Sequence, residues 1–251
     1  PADPFASVHA HPLALAGEKS ADKRARLGEE IARRGARATV LNQLDSIAWI
    51  LNVRGGDTPS TPLVQSFLVL AADGHATWFV DQRKLTAGLA HHLGNGVAIR
   101  PIEAFAEGLK DLAGETVSIE PDTATAWIEA QLQQAGAKVI RGVDPTVLPK
   151  ARKNPAELAG TRKAHLRDGA AMVRFLAWFE AEALGLSELQ VMAKLEETRG
   201  EDPMYRGSSF TTIAGSGPNG AIVHYRATEA TARPVETGTF FLLDSGGQYA
   251  D

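Results

Sequence analysis

The sequence contains no cysteine, which excludes disulfides, thiolate nucleophiles and thiolate metal sites and fits a reducing compartment. It has no apolar run of about 18 residues, so no membrane span is expected. Its opening, PADPFASVHAHPLALAGEKS, lacks a basic region followed by an apolar stretch and reads as a linker entered partway along, not as a secretion signal. Basic charge is not in excess: 26 Lys and Arg stand against 30 Asp and Glu, a formal net charge of −4. That removes the electrostatic case for a nucleic-acid partner. There is no internal repeat, no low-complexity segment, no serine elbow of the hydrolase type and no zinc-binding helix motif. What is present is an ordinary globular balance over 251 residues, long enough for one large domain or two modest ones with a sizeable core.

The patterning divides this length in two. From Ser20 the spacing predicts a helix with Leu27 and Ile31 on one face and Gly35 as its stop. ATVLN (38–42) follows as a strand, and LDSIAWILNVRGG (44–56) as a helix broken by glycines. SFLVLAADGHATWFVD (66–81) gives two apolar runs flanking Asp73-Gly74, a hairpin signal because both central positions favour positive φ. Helices are expected near 82–93, 103–112 and 124–136, with strands at 97–102, 116–120 and 137–142. Such alternation means a layered α/β domain, placed at 12–149 after a linker over 1–11. VDPTVLPKARKNP (143–155), with three prolines, reads as a domain linker. A second domain is then expected over 150–251. It opens with a long helix capped by Asn154, with Pro155 at its first position and apolar residues at 158, 166, 173, 176 and 179. Ser187 and Gln190 stand in capping-box spacing for the next helix, which closes at Gly200. The runs 207–225 and 237–247 follow as β-type segments, giving an α+β domain expected to be truncated at Asp251.

Few residues carry chemistry. Asp244 ends the apolar run FFLLD before Ser245-Gly246-Gly247. A carboxylate held there suits a hard or borderline metal ion, or it hydrogen-bonds its own turn. His224, in the β-type run AIVHY, is either a packed strand histidine or a group that holds a substrate carbonyl. GSGPNG (215–220) just before it is a ligand-approach loop or a plain turn. His91 and His92 are adjacent on a helix and do not face each other, which makes them a poor metal pair; His9 and His11 read as solvated. Arg54 and Asp57 form a turn-stabilising ion pair or touch a ligand, and Trp49, Trp78, Trp127 and Trp178 fall on core positions.

LDSIAWILNVRGGD, AADGHATWFVD, KNPAELAGTRKAHLRDGAAMVRFLAWFE, SFTTIAGSGPNGAIVHYR and LLDSGGQYAD together resemble the cytosolic three-domain Xaa-Pro aminopeptidases (aminopeptidase P). The likeness runs in order from about residue 11 to 251. It implies a creatinase-like α/β middle domain followed by the first part of a pita-bread catalytic domain. It also implies a cytoplasmic enzyme that removes the N-terminal residue preceding proline from peptides, with two divalent ions, manganese or zinc, and a homodimeric full-length form. By this resemblance Asp244 is a metal ligand and His224 lines the substrate site. The remaining ligands, an aspartate, a histidine and two glutamates, would fall beyond Asp251, so no catalytic set is complete here. The chain alone is therefore expected to bind no metal pair stably and to be inactive. A prolidase- or creatinase-like hydrolase, and a non-catalytic pita-bread module that binds peptides or histones, are the alternatives.

Overall fold

The computed structural model describes residues 4–251, and the chain divides into two compact units, the second comprising Glu157–Asp251 with the short segment Pro59–Thr61. The first is built on a six-stranded mixed sheet. Its strands are β1 (Ala38–Leu41), β2 (Ser66–Ala71), β3 (Ala76–Val80), β4 (Val97–Arg100), β5 (Thr116–Ile119) and β6 (Lys138–Arg141), in the order β4-β3-β2-β1-β5-β6. The β1-β2 and β2-β3 pairs are antiparallel, whereas β3-β4, β1-β5 and β5-β6 are parallel. Strand alternation sends neighbouring side chains to opposite faces, so each central strand serves two cores. Leu68, Leu70, Trp78 and Val80 meet α1 (Ser20–Arg33) and α2 (Leu44–Leu51) on one side. Val40, Val69, Phe79, Val117 and Ile119 meet α3 (Phe105–Lys110) and α4 (Ala126–Gln134) on the other. The result is the expected α/β layering.

Local details depart from the sequence reading. Helix α2 ends at Asn52, not at the glycines: Asn52 takes a left-handed φ of 52°, and its side chain accepts from Lys23 Nζ at 2.8 Å and donates to Glu18 O at 2.8 Å. In the β2-β3 hairpin only Gly74 has positive φ, while the Asp73 carboxylate accepts from the His75 N–H. A turn closed by a side chain needs no left-handed aspartate. Residues 82–93 form two short turns of helix, Gln82–Lys84 and Leu89–Leu93, not one helix. Asp57 pairs with Lys84 at 2.7 Å, a partner 27 residues along the chain. Trp127 is 47% exposed, against 0% for Trp78, and lies beside Phe105 at the edge of its layer. The proline-rich stretch 143–155 holds the helical turn Val147–Ala151, and buried Asp144 accepts from Ser46 Oγ and the Thr146 N–H.

His11 also departs from the solvated reading. It is half-buried, and burial together with the positive charges of Arg54, Lys23 and His92 lowers its pKa from 6.5 to about 4. Folding thus favours the neutral ring, and between pH 6.5 and 4 the unfolded chain binds more protons. Stability is expected to fall as pH drops through that window. In His11→Gln this part of the dependence disappears, as denaturant titrations at pH 7, 5.5 and 4 would read.

The helical part of the second unit is α5 (Pro155–Glu182), from Glu157 onward, and α6 (Glu188–Gly200). Asn154 Oδ1 accepts from the Ala156 N–H at 2.9 Å, and the Ser187–Gln190 capping box is formed. Two antiparallel ladders follow. Strand β8 (Ile213–Ser216) pairs with β9 (Phe241–Asp244), and β7 (Tyr205–Ser208) with β10 (Gly247–Tyr249). The core here is small: Phe175, Ala183, Val191 and Leu195, flanked by Trp178, Phe179, Phe241 and Leu243. Helix α5 keeps its apolar period, but Leu158, Leu166, Val173 and Leu176 are exposed. Among the described residues no helix is long and apolar enough to cross a membrane.

Candidate metal and substrate site

Asp244 is the last residue of β9, in register with Ile213. Directly after it the chain leaves one ladder for another, since the Ser209 N–H donates to Gly246 O at 2.9 Å and Gly247 pairs with Ser208. The crossing is tight: a Cβ on Gly246 would lie 2.3 Å from Ser209 Oγ and require that side chain to move. Asp244 is exposed, and no hydrogen bond or ion pair involves its carboxylate among the described residues. The turn bond that is its plain alternative role is absent among the described residues.

His224 does not lie on a strand. The apolar run Ile222-Val223 suggested one, but both side chains are exposed, at 54% and 83%. The backbone turns at His224 with a left-handed φ of 54°. This conformation costs a non-glycine residue about 1 kcal/mol or more and persists only when its surroundings enforce it. The next residue does so: Tyr225 is 6% exposed, and its hydroxyl donates to Glu188 Oε2 at 2.8 Å. Burial, with the Glu188 carboxylate beside it, raises the Tyr225 pKa. The GSGPNG segment packs on itself, because a Cβ on Gly215 would sit 2.8 Å from the Gly220 backbone. That accounts for Gly215 through close approach of two backbones.

Sequence reasoning missed the polar network that holds this region. Glu188 is fully buried and collects the Ser216 N–H, Asn219 Nδ2, the Tyr225 hydroxyl and the Arg233 N–H at 2.7 to 3.2 Å. A first-turn glutamate looks like an ordinary dipole partner, and its donors stand 28 to 45 residues downstream, where no local pattern points to them. A second network joins α5 to the last strand. Arg199, 1% exposed, donates to Asp168 at 2.8 and 3.2 Å, and the Tyr249 hydroxyl donates to the same carboxylate at 3.0 Å. Burial raises the Tyr249 pKa, and hydrogen bonding to Asp168 adds to the rise. Asp251 is held by two contacts to Arg167 Nη1, at 2.6 and 2.7 Å.

Among the described residues no group of three or more His, Cys, Asp or Glu is placed to hold a metal ion. Asp244 is a suitable oxygen donor, but two dications about 3.5–4 Å apart need several carboxylates to bridge them and offset their charge. The donor set of this chain does not by itself fit a metal pair.

Residues 1–157 match the Creatinase/Prolidase N-terminal domain. The chain belongs to that family. The rest of this creatinase/prolidase chain, residues 159–251, matches Metallopeptidase family M24. Over its full length it is 36% identical to a probable Xaa-Pro aminopeptidase P of Coccidioides posadasii, covering 43% of that protein. It is 34% identical to aminopeptidase P2 of Arabidopsis thaliana, covering 40%. Among solved structures it resembles the X-prolyl aminopeptidase of Caenorhabditis elegans, described as a cytosolic enzyme with a di-nuclear active site. The TM-score is 0.90 at 29% identity, over 99% of this chain and 42% of that one. The Xaa-Pro dipeptidase of Bacillus anthracis shares the fold, with a TM-score of 0.69 at 23% identity over 92% of this chain and 62% of that one. The chain thus spans less than half the length of the curated relatives it matches, and the creatinase-type α/β domain followed by M24-type structure is the expected fold class.

Proposed function

We propose that this chain is part of an Xaa-Pro aminopeptidase, a cytoplasmic, homodimeric metalloenzyme that releases the residue preceding proline from the N-terminus of peptides. In this reading residues 12–149 form the middle domain and residues 150–251 open the catalytic domain. The supporting observation is the unbroken likeness to Xaa-Pro aminopeptidases through both units, 36% identity over the whole chain. Two divalent ions, manganese or zinc, supply Lewis acidity at the scissile carbonyl when bound. Asp244 contributes one carboxylate to them and needs partners from outside residues 1–251. His224, presented on its left-handed turn, holds the substrate. The chain alone is inactive in this account, because one aspartate neither bridges nor neutralises two dications.

The test is hydrolysis by the longer protein of an Xaa-Pro-Xaa tripeptide beside the matching Xaa-Pro dipeptide. Faster release of the first residue from the tripeptide is expected. Preference for the dipeptide would assign a prolidase-like activity instead, and cleavage of neither would favour a binding module.

A further inference from the structure

Between Gly217 and Phe240 the chain has little apolar anchorage beyond Val235, which packs partly buried on the small core of the second unit. Tyr225 is the one buried residue in that stretch, whose defined structure is the turn Gly217–Ala221 and a single bridge between Pro234 and Ser187. What fixes its path is polar. The Glu188 carboxylate takes the Ser216 N–H at 2.7 Å and Asn219 Nδ2 at 2.9 Å on one oxygen, and the Tyr225 hydroxyl at 2.8 Å and the Arg233 N–H at 3.2 Å on the other. These donors come from the start, the turn, the middle and the return of the loop. No Lys or Arg pairs with Glu188 among the described residues. Burying a carboxylate without a counter-ion costs several kcal/mol unless its lone pairs are filled. Here they are filled, and Glu188 is also the first residue of a 13-residue helix, where the helix dipole favours negative charge.

We propose that Glu188 is a positioning residue for substrate recognition. By clamping four points of the 216–233 loop it holds Tyr225 inward and keeps His224, one residue earlier, turned outward in its strained conformation. The proposal rests on the reading of His224 as a substrate-site residue. A glutamine at 188 would offer one acceptor oxygen and set an amide donor against the other two donors, so shape would persist while the clamp fails.

The experiment has two arms. In the complete enzyme, kcat/KM on an Xaa-Pro-Xaa peptide is measured for Glu188→Gln, His224→Ala and the double variant, with Tyr225→Phe as a milder release of the same clamp. Glu188→Gln is expected to lose about 10- to 100-fold, the scale of a misplaced positioning group. The double variant should lose no more than His224→Ala alone, because Glu188 acts through that side chain. Full additivity, or an unaffected Glu188→Gln, would overturn the proposal. A His224→Ala enzyme of normal activity would instead sink the site reading on which it rests. In the second arm, hydrogen exchange on this chain follows the Ile222 and Tyr225 amides, which bond to Asn219 O and Ile222 O and not to Glu188. Faster exchange at these two amides with core amides unchanged is expected in Glu188→Gln and, more weakly, in Tyr225→Phe. Unchanged exchange in both variants would contradict the clamp whatever the activity shows. Should Glu188→Gln fail to fold, the Tyr225→Phe variant decides by the same readings.

Discussion

Asp57→Ala is expected to destabilise the first unit by about 3–5 kcal/mol, the cost of breaking a buried ion pair from one side. The Asp57 side chain is wholly buried and that of Lys84 is 5% exposed, with their charged atoms 2.7 Å apart. The same carboxylate accepts the Ala6 N–H at 3.2 Å and the Gln65 N–H at 2.8 Å. Its loss leaves a buried ammonium and two amides without their acceptor. Asp57→Asn keeps an acceptor but not the charge and should fall between wild type and Asp57→Ala. The pair replaced together, Asp57→Leu with Lys84→Met, should recover most of the loss, because two apolar side chains leave no orphaned charge. Denaturant midpoints of the four proteins check the order. Equal midpoints for wild type and Asp57→Ala would show that the pair contributes nothing.

The second large effect is on function and should leave stability untouched. Asp244 is exposed and its carboxylate is unengaged among the described residues, so Asp244→Asn is expected to shift unfolding by no more than about 0.5 kcal/mol. On the proposed reading, the same change removes a charged metal ligand from the complete enzyme. Groups that merely orient metal ligands are worth about 10–100-fold, and a ligand itself should cost about 100-fold or more in turnover. An Asp244→Asn enzyme with normal turnover and metal content would remove this residue from the site.

Sequence patterns reached the parts of this protein governed by local rules. The β2-β3 hairpin, the Ser187–Gln190 box and the Asn154 cap each depend on residues within a few positions of one another, so they are readable before any fold is known. Burial on a face supplied by distant chain is not. The spacing of Leu166, Val173 and Leu176 is helical, yet those residues are exposed while Ala171 and Phe175 are the ones buried. His224 escapes the local pattern for a related reason: an apolar pair before an aromatic looks like strand, and the carboxylate that accepts the Tyr225 hydroxyl there belongs to Glu188, 37 residues back along the chain. Asp57 and Lys84 are 27 apart, and nothing in VRGGD names its true partner. Asp244 was legible as a candidate because a strand, an acid and two glycines are contiguous, but its exposure was not.

Metal stoichiometry of this chain tests the account most directly, since the central claim is that residues 1–251 carry one donor of a two-metal site and not the site. After equilibrium dialysis against manganese or zinc and removal of loosely held ions, elemental analysis should find fewer than two ions per chain, with no difference between wild type and Asp244→Asn beyond one ion. Two tightly bound ions per chain would contradict it.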